Sequence, residues 1–144
     1  MSTESTRIIK AVAIIELAIA VGAVLFWIAF FSTDLVSIDD PQLREIYLGF
    51  ESAFPVPDMC LSVVLFIGGI GLLRKKPLGS LFSLLGGSSL VFLSLLDVSF
   101  NTQHGIYFLG LGEAILNVSI NVVCLGSGLL IIFVVWKHKL KAKT

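Results

Sequence analysis

Residues 8–31 read IIKAVAIIELAIAVGAVLFWIAFF, an apolar run interrupted only by Lys10 near its start and Glu16 in its inner half. At a rise of about 1.5 Å per residue, a helix of this length crosses the roughly 30 Å hydrocarbon layer of a bilayer. The run is too long for the apolar core of a signal peptide and lacks a small-residue cleavage pattern, so it predicts a retained first span. Three further runs of the same character lie at 58–73, 78–96 and 111–136. Lipid offers no partner to open backbone groups, so each span is expected to be helical.

The rest of the composition agrees with this reading. Of the 144 residues, 56% are hydrophobic and 14% are charged, and the mean hydropathy is +0.99. A water-soluble domain of this size needs more polar surface. Four spans leave only short connections. The expected fold is therefore all-α: one domain over 1–144, a compact four-transmembrane-helix bundle, with a first outer loop at 32–57.

The formal net charge of +0 conceals a segregation. Arg7 and Lys10 precede the first span, Arg74, Lys75 and Lys76 fill the turn between the second and third, and Lys137, Lys139, Lys141 and Lys143 follow the fourth. Only Arg44 lies at the opposite ends, which carry Asp34, Asp39, Asp40, Glu45, Glu51, Asp58, Asp97 and Glu113. The positive-inside rule places both termini in the cytoplasm of an integral plasma-membrane protein and both acidic loops outside. Lysines beside a span meet anionic lipid headgroups and set topology, so the tail predicts lipid contact and no nucleic-acid partner. Trp27 and Trp136 read as interfacial anchors.

The first outer loop predicts a short amphipathic helix. Asp40 suits an N-cap, Pro41 suits the first helical position, and Leu43, Ile46, Tyr47, Phe50 and Phe54 recur at helical spacing. This helix is expected to anchor at the interface or to cover the mouth of the bundle. Pro55 and Pro57 stiffen the approach to the second span, and Asp58 then falls in its first turn, where the helix dipole favours a carboxylate.

Several polar residues need a physical explanation. Asp97 reads as the end of the third span, where the dipole disfavours an acid, so it is expected to meet either a partner or water. In the fourth span Glu113, Asn117 and Asn121 recur every four residues and share one helical face. That face is expected to meet other protein, as interhelical hydrogen bonds or as a ligand surface. Asn117-Val118-Ser119 spells a glycosylation acceptor, but its place within a span argues against modification. Glu16, an acid inside a span, marks a candidate site for a coupling proton or cation. Cys60 and Cys124 sit in apolar runs at different depths and predict two buried thiols rather than a disulfide.

Glu16 in the first of four spans is similar to the membrane glutamate that small multidrug transporters, which work as dimers, carry on helix one. The likeness is restricted to Glu16 and the span count. The long outer loop and strong charge bias depart from that family's compact layout, and its function is not carried over. Claudins and tetraspanins share four spans and cytoplasmic termini, but their characteristic extracellular cysteines are missing here.

These residues define the functional expectations. Glu51, Asp58, Asp97, His104, Glu113, Asn117 and Asn121 form an outward-facing acidic and polar set, the expected ligand-binding residues of a membrane binding or accessory protein. Convergent carboxylates gather small cations or amines. Asp58, Asp97, His104 and Glu113 are candidate ligands for a divalent cation, although no short HxxxH or HExxH spacing supports zinc. An enzymatic alternative uses His104 as general base, oriented by Asp97 or Glu113, with metal-assisted hydrolysis as another route. A transport alternative uses Glu16 with the polar face of the fourth span. Because four helices enclose little volume, it calls for a homo-oligomer or another membrane-protein partner.

Overall fold

The computed structural model describes residues 3–33, 35, 36 and 38–141. Asp34 and Lys143, read above by their charge, lie outside them. The chain forms α1 (Thr3–Ser32), α2 (Pro41–Glu51), α3 (Pro55–Leu73), α4 (Pro77–Gln103) and α5 (Leu111–Lys141), with a single 3₁₀ turn at Ile106–Phe108 before α5. Among the described residues, four segments are helical, long and apolar enough to cross a membrane: Thr6–Ser32, Pro41–Leu73, Pro77–Gln103 and Leu111–Lys139.

The four long helices pack antiparallel in chain order, α1 on α3, α3 on α4 and α4 on α5, while α1 and α5 touch sparingly. Glycines set the closest approaches. A Cβ on Gly71 would run into the backbone of Gly79, where α3 turns back into α4 through Lys75 at φ 53°. Further along, a Cβ on Gly128 of α5 would stand 2.8 Å from the carbonyl oxygen of Gly87 on α4. Neither site admits a side chain, so backbones meet directly. Val12, Ala13, Leu65, Leu72, Leu90, Ile131 and Val135 belong to the main core, and Val12, Ile131 and Val135 lie in it toward the basic end.

The opposite end is covered by the loops. Asp40 Oδ1 accepts from the amides of Gln42 and Leu43, and Pro41 begins α2. Phe50 of α2 stacks on Phe100 of α4 with ring centroids 3.8 Å apart and planes within 2°. Val36, Ile38, Tyr47 and Ile106 form a second apolar cluster there.

Three expectations are corrected. The third apolar helix continues past Leu96 to Gln103, so Asp97 is not at a helix end and the dipole argument against it lapses. The helix persists because its inward face, Leu90, Ser94 and then Asn101, remains buried against α5, and it stops before Gly105 at φ 67°. Trp27 is no exposed anchor. It is 5% exposed and turned into the bundle, whereas Trp136 is exposed. The cysteines are not buried: Cys60 is exposed, Cys124 is half-buried, and both are free.

Candidate functional site

Between α1, α3, α4 and α5, under α2, lies a cavity of about 600 Å³. Its outer end is acidic: Glu51 from α2, Asp58 from α3, Asp97 from α4 and Glu113 from α5 all line it. The carboxyls of Glu51, Asp58 and Asp97 lie close enough to repel one another. No lysine, arginine or histidine is among the described residues that line the cavity. The remaining wall is mainly aliphatic and aromatic, with Phe26, Trp27, Phe30, Tyr47 and Phe54 around the acidic end.

Each acid is placed by a local device. Asp58 occupies the first turn of α3, and its Oδ2 also accepts from the indole N–H of Trp27 at 2.9 Å. Sequence reasoning missed this pairing. The available signal was that an indole N–H turned inward needs an acceptor. Glu51 closes α2, is 8% exposed, and faces the hydroxyl of Tyr47. Asp97 faces the amides of Asn101 and Asn121.

The asparagines join helices as well as lining the site. Asn117 Nδ2 donates to the Glu113 carbonyl at 2.9 Å, while Asn117 Oδ1 accepts from Asn101 Nδ2 at 3.3 Å and from the Tyr47 hydroxyl at 3.4 Å. Asn121 Nδ2 donates to the Asn117 carbonyl at 2.9 Å and to the Tyr107 hydroxyl at 3.0 Å. The Ser94 hydroxyl donates to the Asn121 carbonyl at 3.2 Å. Burial pushes the Tyr107 phenol above its ordinary range. Asn101, fully buried on α4, also belongs to this network.

Two candidates stand apart. His104 is outside the cavity lining: its ring stacks on Phe100 at 4.2 Å, and its Nδ1 lies 3.0 Å from the Phe100 carbonyl. Glu16 is fully buried on α1, deeper in the bundle. Its Oε2 accepts from Ser83 Oγ at 3.0 Å, and its Oε1 has no hydrogen-bond partner. The missing side chain of Gly68 makes room for it, since a Cβ there would lie 3.0 Å from Oε2. Leu65 at 0% and Leu90 at 2% exposure occupy the level between this carboxyl and Ser94. Glu16 thus forms a separate polar layer.

Among the described residues, no group of three or more His, Cys, Asp and Glu is placed to hold a metal ion. Asp58, Asp97 and Glu113 share the cavity wall without forming such a group, and His104 lies off it. The fold and cavity define an all-helical bundle of four long apolar helices with an acid-ended internal site. No protein-family model matches this chain, and no curated protein or solved structure gives a significant match.

Proposed function

We propose that this chain is an integral membrane protein whose cavity binds a small organic cation, an amine or ammonium compound. Both termini and the Arg74–Lys76 turn face the cytoplasm, and the acidic end faces outward. One observation carries the reading: carboxyls from several helices converge with aromatic side chains on one cavity whose described lining holds no base. A cation brought there gains Coulomb attraction in a partly desolvated site, and Phe26, Trp27 and Phe30 on the wall are the ring types that attract a quaternary ammonium. The cavity volume lies within the range for a small organic ligand. The apolar residues of α2, Leu43, Ile46, Tyr47 and Phe50, recur at helical spacing and make it an amphipathic roof over the site, with Tyr47 and Glu51 buried and lining the cavity.

The test compares phenyltrimethylammonium with its neutral isostere tert-butylbenzene, by calorimetric titration of the detergent-solubilised protein. The cation is expected to bind at least about tenfold more tightly, since one close charge pair contributes more than about 1.4 kcal/mol in such a setting. Glu51→Gln and Asp97→Asn should each weaken the cation and leave the isostere unchanged. Equal binding of the two compounds would sink the proposal.

A further inference from the structure

We infer that the ligand is a single-chain cationic amphiphile, held with its head at the acidic end and its tail along the seam between α1 and α5. This rests on the cation reading above and specifies the class of molecule.

The cavity is elongated. Its lining runs on α1 from Ile15 to Phe30 and on α5 from Glu113 to Ser127. At 1.5 Å per helical residue both walls are about 20 Å long. The four acids of the lining all lie toward one end of that length, which matches an extended aliphatic chain carrying a single charged head.

The seam also opens sideways. Among the four long helices, α1 and α5 are the neighbours that pack least, and toward the basic end Val12 of α1 and Ile131 and Val135 of α5 are buried in the main core. Along the seam, Ala18 and Gly22 of α1 and Ser119 and Val123 of α5 line the cavity and are exposed. In a bilayer this opening faces acyl chains, so an amphiphile reaches the site from the lipid with its tail already desolvated. Charge fixes its direction: acids at the outer end take the cationic head, and the aliphatic wall below takes the tail. Glu16 lies outside the lining and makes no polar demand on the tail.

The experiment uses the full chain with Trp136→Phe, so that Trp27 on the cavity wall is the sole fluorescent reporter of the two tryptophans. Tetramethylammonium and its butyl, hexyl, octyl and decyl homologues are titrated below their micellar concentrations, against free aqueous ligand. The expected result is a rise in affinity of roughly threefold per added methylene. Two variants fill the seam from opposite walls, Gly22→Phe and Ser119→Phe. A Cβ on Gly22 meets nothing within 4 Å, so the first substitution starts from open space at its Cβ. Both should flatten the chain-length series while tetramethylammonium still binds. If tetramethylammonium binds and the wild-type series is flat, the amphiphile inference falls and the cation reading stands. If the rise persists in both filled variants, the tail lies elsewhere and the inference falls. If no ammonium compound binds, both readings fall.

Discussion

The indole N–H of Trp27 donates to Asp58 Oδ2 at 2.9 Å, joining the outer part of α1 to the first turn of α3. The same pair forms part of the cavity wall, so it couples helix packing to the acidic end of the site. Trp27→Phe keeps an aromatic ring of smaller size and removes the donor. It is expected to destabilise the fold by about 1–3 kcal/mol, the cost of leaving a partly buried acceptor unsatisfied. Asp58→Asn retains an acceptor oxygen and should cost less. Equilibrium unfolding of both variants in detergent decides: equal losses would mean that the hydrogen bond contributes nothing beyond packing.

The glycines divide into packed and open positions, and the signs of their substitutions should differ. Gly68→Ala places a Cβ 2.9 Å from the Ser83 amide nitrogen and 3.0 Å from Glu16 Oε2, so it should destabilise by about 1–3 kcal/mol. Gly22→Ala meets nothing and gains helix propensity, so it should be neutral or stabilising by up to about 1 kcal/mol. Melting temperatures of the two single variants give the comparison, and a stability loss in Gly22→Ala would contradict the open seam.

Ser83 provides the hydrogen bond to Glu16 that the structure shows, at 3.0 Å, while the other oxygen already lacks a partner. Ser83→Ala should therefore cost about 1–3 kcal/mol. Combining it with Glu16→Leu, which removes the carboxyl, should recover part of that loss. A double-mutant cycle reads the coupling directly. Additive losses would show that the two side chains act independently.

Asn117 and Asn121 each bond within α5 and to groups on other segments. Replacing either by Ala is expected to cost about 0.5–2 kcal/mol, the range for interhelical hydrogen bonds in membrane bundles. Asn101→Ala removes the amide that reaches Asn117 Oδ1 and should show non-additivity with Asn117→Ala. Unchanged unfolding midpoints in all three single variants would remove the packing role.

Much of the site was legible as composition but not as geometry. The periodicity of Glu113, Asn117 and Asn121 placed three polar residues on one face of α5, and all three line the cavity. His104 belonged to the same sequence neighbourhood, yet it caps the end of α4 and its ring turns back onto Phe100, one helical turn earlier. Asp97 was misread as a helix end. The apolar run fades at Leu96, but the hydrogen-bonded inward face of α4 carries the helix further.

The number and order of four long apolar helices, and the gathering of bases at one set of their ends, were determined by the sequence alone. Apolar length and charge position are properties of a line of residues, and the backbone's need for hydrogen bonds converts them into helices. Rotation of each helix about its axis was decided only by tertiary packing. Contacts such as Gly71 with Gly79 and Gly87 with Gly128 fix which faces meet. That rotation turns Trp27 inward to Asp58 and seals Glu16 beneath Leu65 and Leu90. It also leaves α1 and α5 apart, and the cavity exists because those two helices do not close on each other.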